Sequence, residues 1–564
     1  MHLVESFSHK LNCIPVVHEV AAGIAAEYFN EVSESGRALA LVTAGPGMTN
    51  IVTALAGAFL ESRELLVIGG QVKVPDLARG EVRQRGIQEI DGVAIAKSVS
   101  VRAVLVDNIL NKTEFSELAI SGSHGRKGPV YLEVPLDIQG KNVNHEELNS
   151  LPQGKPIPVF EKILPATLQE IVARLKKARR PVLLLGGGIR RDVAGKLLGR
   201  LEALGVPVMV TWNALDRVPA DYPLFFGRPN TWGQRSANIL MQQADLLVAL
   251  GTRLGLQQTG FNWQQFIPVG EVVQVDCDRK ELSKGHPRVE LPICGDANLV
   301  LEYLAEQTGY GDYREWVSFC REVSQQISLD DPENKTRDGY LSPYQFCLRL
   351  SDLATKEDVV VPCSSGNANT VMHQTFKVKQ GQRAFNNGGL ASMGYGLSGA
   401  IGAAIAAKGR RTILVEGDGG FIQNLQELGT VSANHLNLKI FIFDNDGYAS
   451  IRMTQMNYFN GHYVGCDTKT GLGIPEWNHL FAAYGISVLP IGPGFEHDAE
   501  FLRRFQAAAA SAFLVKIDPE QTYFPKITSR VASNGSMESN PLHLMSPDLP
   551  TELAAKVLRY LKTS

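Results

Sequence analysis

Residues 414–429 read LVEGDGGFIQNLQELG: an apolar run, then Gly417-Asp418-Gly419-Gly420, then residues that favour helix. The apolar run has the length and composition of a buried strand. In an open parallel sheet, the exit of such a strand is where ligands meet helix N-termini and their unpaired N–H groups. An aspartate there repels a phosphate directly, but a carboxylate that holds a hard divalent cation binds phosphate through the metal. The next strand-like run, LKIFIFD at 438–444, ends in Asn445-Asp446-Gly447. Adjacent strand ends would bring the Asn445 amide oxygen and a carbonyl at Gly447 toward Asp418, giving three protein oxygens suited to octahedral Mg²⁺. Gly417, Gly419 and Gly420 would let the backbone approach phosphates closely. Either turn alone is an ordinary turn signal; their joint occurrence after consecutive strands singles them out.

Outward from this point, strand-like runs alternate with Ala/Leu/Glu-rich helical stretches over all 564 residues, the pattern of parallel sheets covered on both faces. The fold class is α/β, with three doubly wound domains. A first domain over 1–150 carries ALALVT, LLVIGG and PVYLEVP, and a Pro-rich linker follows at 151–165. A central domain over 160–305 carries RPVLLLGGG, VPVMVTW, ADLLVALGTR and EVVQVDCD. A third, over 340–530, carries DVVVP, RTILVEGDGG, LKIFIFDND and AFLVKID, and residues 531–564 read as an irregular C-terminal arm.

The net charge of −3 and charged content of 20% offer no polyelectrolyte surface for nucleic acid or anionic lipid. No apolar run reaches the ~20 residues that cross a bilayer. Seven scattered cysteines without CxxC spacing indicate neither a disulfide framework nor a zinc site, and no secretory signal is visible. A cytoplasmic location is the expectation.

The stretch GDGGFIQNLQELGTVSANHLNLKIFIFDNDGYASI resembles the diphosphate motif of thiamin diphosphate enzymes, with Asp444-Asn445 where an Asn-Asn pair is common. The resemblance implies that Asp418, Asn445 and the Gly447 carbonyl hold Mg²⁺. It also implies a catalytic glutamate in the first domain, hydrogen-bonded to the aminopyrimidine N1′. In IPVVHEVAAGIAAEYFNE, Glu19 follows an apolar strand-like run and opens an Ala-rich helix, so it takes that role. FNNGGLASMGYGLSGAIGAAIAA resembles the signature upstream of the motif. There Met393 would wedge between the cofactor rings, and the Ala391 carbonyl would accept from the 4′-amino group. Relatives carry an opening strand before the segment matching MHLVESF, so the first domain is expected to lack it. Because the family joins first and third domains across subunits, a homodimer or homotetramer is implied.

Over nearly its whole length the chain resembles the acetolactate synthase group, through AGPGMTN, GIQEIDGVAIAKSV and GPVYLEVPLDIQ. That group acts on pyruvate and binds FAD in the central domain. Gly187, Gly188, Gly251, Thr252, Arg253, Asp276 and Asp296 fall at its flavin contacts, and FAD would be structural. Pyruvate decarboxylases carry a His-His pair and a later carboxylate where this chain has Gln88-Glu89 and Ile451, so carbon–carbon bond formation is favoured over aldehyde release. Two positions depart from acetolactate synthases. Gln257 replaces an Arg that clamps the acceptor carboxylate, and Thr454 replaces a Trp that walls it. With the tail YFPKITSRVASNGSMESNPLHLMSP, these departures resemble the carboligase subgroup of nucleotide-sugar genes, including the yersiniose-pathway flavoprotein. There a ketone, C4 of a nucleotide-linked 4-keto deoxysugar, accepts the two-carbon unit. Acetolactate synthesis and a non-catalytic, cofactor-binding scaffold are the alternatives.

Overall fold

The computed structural model describes residues 2–144, 160–531 and 537–561. Most of the expected linker at 151–165, and the tip of the expected arm, lie outside the described residues.

Three all-parallel sheets form the scaffold. The first has β1 (Leu39–Val42), β2 (Leu65–Gln71), β3 (Arg102–Leu105) and β4 (Pro129–Pro135) in the order β1-β2-β4-β3. The second orders β5 (Pro181–Leu185), β6 (Val208–Val210), β7 (Leu246–Leu250), β8 (Glu271–Asp276) and β9 (Leu291–Cys294) as β6-β5-β7-β8-β9. The third contains β10 (Val359–Pro362), β11 (Arg383–Ala384), β12 (Thr412–Gly417), β13 (Leu438–Asp444), β14 (Ser487–Ile491) and β15 (Ser511–Lys516) as β11-β10-β12-β13-β15-β14. In the second and third sheets the winding direction reverses between the first and third strands of the sheet. Those reversals leave crevices beyond β5/β7 and beyond β10/β12, the places where open sheets bind ligands.

The strands named from sequence are present: β5, β6, β7 and β10 are Val/Leu/Met runs buried along their whole length, and β1 alternates buried and part-buried residues. The expectation missed β3, β9, β11 and β14. All four are short or lie at a sheet edge, where one flank faces solvent and the hydrophobic signal thins.

Five helices position the site: α1 (Glu19–Val32), α2 (Pro46–Glu61), α3 (Gly366–Thr375), α4 (Tyr395–Ala407) and α5 (Asp418–Phe421). A sixth, α6 (Ala449–Phe459), follows the Asn445 turn. α1 starts at Glu19 because His18, extended at φ −128°, caps it by accepting from the Val20 amide at 3.3 Å. The residues before it form no strand, so the strand expected ahead of Glu19 is absent: the Val17 and His18 amides bond the Glu427 carboxylate instead of a sheet.

α4 lies flat on α1 since its small residues permit it. A Cβ on Gly402 would stand 1.9 Å from the Ala25 carbonyl, and one on Gly399 would stand 2.6 Å from the Tyr28 ring. First and third domains therefore share one core within the chain, with Ile24, Tyr28 and Leu55 packed among Phe385, Tyr395 and Ile401. The C-terminal segment is less irregular than expected. It forms a strand pair, β16 (Ser529–Val531) with β17 (Met537–Ser539), and a helix, α7 (Thr551–Val557). It also buries Leu542, Met545 and Val557 in the central domain's core.

Candidate active site

β12 and β13 are hydrogen-bonded neighbours in register, Gly417 beside Phe443, so their exits meet. Asp418, 1% exposed, lies there as the first residue of α5. Its Oδ2 accepts from the Asn445 amide at 3.0 Å and the Gly447 amide at 2.9 Å, and its Oδ1 accepts from Gly419 at 2.6 Å. Burial pushes its pKa up to about 7 despite those three N–H groups. A carboxylate in this state has a marked affinity for a cation. The Asn445 side chain is also buried, and its Oδ1 has no hydrogen-bond partner. An orphaned buried acceptor costs about 1–3 kcal/mol unless something occupies it. The backbone turns sharply here: Asp446 and Gly447 have φ of +64° and +114°, and a Cβ on Gly447 would stand 2.5 Å from the Cys466 carbonyl. Among the described residues no three His, Cys, Asp or Glu side chains converge as a metal cage. The oxygens this turn offers, the Asp418 carboxylate, the free Asn445 amide oxygen and the Gly447 carbonyl, which also accepts from the Ala449 amide at 3.0 Å, are the hard donors a cation sharing its shell with phosphate requires.

The glycines divide. Nothing lies within 4 Å of a Cβ built on Gly417, whereas one on Gly419 would stand 2.4 Å from the Tyr448 ring and one on Gly420 would stand 2.8 Å from Glu416 Oε1. Of the three, only Gly417 faces open space; the other two are required by protein neighbours. Glu416 itself is buried with Oε2 unpartnered, and burial pushes its pKa up to about 8.

The loop between β11 and α4 holds Ala391 in the left-handed region, φ +55°, a costly conformation for a residue with a Cβ. Met393 is half-buried, with its sulfur 3.6 Å from Gln423 Nε2, and the Ser392 carbonyl accepts from Ser364 at the foot of α3. Glu19 is half-buried and accepts from Asn50 Nδ2 at 3.0 Å. No hydrogen bond joins it to the Asp418 turn.

Sequence reasoning missed Asn367, in the first turn of α3 at the β10/β12 reversal. Its Oδ1 accepts from Ser450 on α6 at 3.2 Å, and its Nδ2 is orphaned. The Ser-Ser-Gly-Asn turn after DVVVP was the available signal. Also missed was Glu27, which shares α1's buried face with Val20 and Ile24. Its Oε1 accepts from Arg63 at 2.8 Å and Asn387 at 3.1 Å, its Oε2 from Tyr395 at 2.6 Å.

A second crevice opens beyond β5 and β7, a cavity of about 910 Å³ between the first and central domains. Gly187, Gly188, Gly251, Thr252 and Arg253 line it from the two strand exits, with Gln257, Asp276 and Asp296 beside them. A Cβ on Gly186 would meet the Gly251 carbonyl at 2.2 Å, so this glycine run first serves the contact between the two turns. Asp296 caps its helix by accepting from Asn298, and Asp276 pairs with Arg126 of the first domain at 3.0 Å. Trp212 on the wall is buried and its indole N–H has no acceptor. Gln88 is exposed with φ +61°, on a loop whose carbonyl abuts Gly45. Ile451 and Thr454 are exposed one turn apart on α6.

Models of the thiamine pyrophosphate enzyme N-terminal binding domain, central domain and C-terminal binding domain match residues 1–95, 168–304 and 364–517. The chain belongs to the thiamine pyrophosphate enzyme family. It is 30% identical to the acetolactate synthase large subunit of Cyanidium caldarium over 484 residues, 84% of this chain and 80% of that one. It is 26% identical over 533 residues to the isozyme 1 large subunit of Escherichia coli K12, covering 94% and 91%. With the isozyme 2 large subunit of the same organism it shares 29% over 514 residues, covering 89% and 86%. This family member is a thiamin diphosphate-dependent carboligase of acetolactate synthase type. Among the described residues no helix is long and apolar enough to cross a membrane.

Proposed function

We propose that this carboligase decarboxylates pyruvate with Mg²⁺ and thiamin diphosphate and passes the two-carbon unit to a ketone, C4 of a nucleotide-linked 4-keto deoxysugar. The observation that carries the cofactor part is the orphaned Asn445 Oδ1 beside the buried Asp418 carboxylate. Asp418, Asn445 and the Gly447 carbonyl would hold the metal, and Gly417 would leave room for the diphosphate. When bound, the thiazolium supplies the carbanion and electron sink. The chain's own work is placement. Ala391 and Met393, fixed by the strained loop, shape the ring site, and Glu19 holds a proton at the pyrimidine nitrogen. FAD is our reading of the central cavity, supported by its place at the β5/β7 reversal and the unpartnered Trp212 N–H. We read the assembly as a homodimer or homotetramer, as the family's shared sites require.

The acceptor reading rests on α6. Ile451 and Thr454 leave an open, partly apolar face in place of a bulky wall and a proton-delivering carboxylate. Such a face admits a large neutral ketone, and Gln257, lodged in the central cavity, provides no carboxylate clamp. Incubation with pyruvate, thiamin diphosphate, Mg²⁺ and a CDP-linked 3,6-dideoxy-4-ketohexose tests it by mass spectrometry. A sugar product heavier by the two-carbon acyl unit is expected; acetolactate as the dominant product would replace the sugar acceptor by a second pyruvate.

A further inference from the structure

After β15 the chain leaves the third sheet beside the metal turn, with the Ile517 amide donating to the Asp444 carbonyl at 3.0 Å. The segment that follows is clamped from both sides. Asp518 accepts from Arg337 Nε at 2.8 Å, and Asn334 exchanges hydrogen bonds with the Phe524 backbone at 2.8 and 3.0 Å. Between these clamps, Tyr523 is driven inward to 5% exposure, its ring against Tyr344 at 6.4 Å between centroids. Its hydroxyl lies near the side-chain amides of Asn445 and Asn367 and within the field of Asp418, but makes no hydrogen bond of full geometry to either. Three buried polar atoms on these neighbouring side chains are left without a well-formed partner: Asn445 Oδ1, an acceptor, and Asn367 Nδ2 and Tyr523 Oη, both able to donate.

Their mixture of types, beside the Asp418 carboxylate, suits an occupant that carries both a cation and anionic oxygens. The acceptor suits a cation; the two donors suit oxygens that the cation gathers. We propose that Tyr523, together with Asn367, anchors the cofactor by donating to an oxygen of its metal-bound diphosphate. This rests on the reading of Asp418 and Asn445 as metal ligands. The tyrosine lies outside the glycine-acid motif and is brought to it by the clamped segment after β15.

The test uses the full-length protein and calorimetric titration. Tyr523→Phe removes one oxygen that has no partner in the free protein, so its melting temperature without cofactor should match wild type. Its affinity for thiamin diphosphate with Mg²⁺, and for inorganic pyrophosphate with Mg²⁺, should fall ~10-fold or more. Binding of thiamin, which lacks phosphates, should not change. Asp418→Asn separates the two claims. If it loses Mg²⁺-dependent binding while Tyr523→Phe binds pyrophosphate as wild type does, the metal site stands and the tyrosine anchor is refuted. If Asp418→Asn binds normally, the metal reading fails first. A Tyr523→Phe protein that melts lower and binds unchanged would assign the hydroxyl to the fold alone.

Discussion

Two buried groups of charged and polar side chains lie close to the same loop and differ in one respect. At the Asp418 turn, Asn445 Oδ1, Asn367 Nδ2 and Tyr523 Oη are buried and without well-formed partners. Around Arg63, both oxygens of Glu27 are taken, and the guanidinium also donates to the Asn386 carbonyl at 2.5 Å. Nearby, Glu31 and Asp216 share Arg191 at 2.9 and 2.8 Å, and Glu61 accepts from Asn213 at 2.6 Å and from the Gly389 amide. These bonds cross all three domains and end on residues 384–395, the stretch that carries Ala391 and Met393. Around Arg63 the charged groups are met by protein partners and act as a strut, although the Tyr28 hydroxyl and the Asn386 and Asn387 amide oxygens beside them are unpartnered; at the Asp418 turn the unpartnered atoms accompany a carboxylate with which, among the described residues, no cationic side chain is paired.

The sharpest break of this comparison is Asp418→Ala. Loss of the metal carboxylate should lower the rate of CO₂ release from pyruvate by about 10³-fold or more, since the cation's charge stabilisation goes with it. Circular dichroism should show an intact fold. Glu19, half-buried with one side-chain partner, falls on the site side of the comparison. Glu19→Gln should cost about 10²–10⁴ in turnover while titration shows cofactor affinity within a small factor of wild type. Arg63→Met attacks the strut instead. It leaves Glu27 buried without its countercharge, held only by Asn387 and Tyr395, so chemical denaturation should report a loss of about 3–5 kcal/mol, and Glu27→Gln added to it should restore part of that loss.

The smallest effect is in pH dependence. Burial raises the Glu31 pKa, but Arg191, Arg63 and Arg217 outweigh it and hold the carboxyl well below the ordinary 4.5. A folded-state pKa below the unfolded one gives stability that is full above the unfolded value and fades as pH falls beneath it. The stability gap between wild type and Glu31→Gln, measured by urea melts, should be widest near neutral pH and shrink from about pH 5 to about pH 3. A gap that widens on acidification would contradict the strut.

The acid turn was legible because its residues are local: an apolar run, a glycine pair around Asp418 and a second turn after the adjacent strand. Asn367 and Tyr523 were not, since they reach the turn from neighbouring strand exits, and the order of strands in a sheet is not written in any one segment. Glu27 was hidden differently. A glutamate on a helix reads as solvent-facing unless its phase against Val20 and Ile24 is followed, and its partners Arg63 and Tyr395 are far along the chain. The central-domain glycines were legible as a turn, but their tight fit against Gly251 depends on the β5–β7 pairing.

The claim that organises the rest is that the unpartnered turn at Asp418 and Asn445 is a working cofactor site. Release of labelled CO₂ from [1-¹³C]pyruvate by the full chain, with thiamin diphosphate and Mg²⁺, tests it most directly. Turnover that requires both additions and disappears with a chelator or in Asp418→Asn is the predicted result. No CO₂ from protein shown by titration to have bound both would contradict it and leave a scaffold that holds the cofactor without using it.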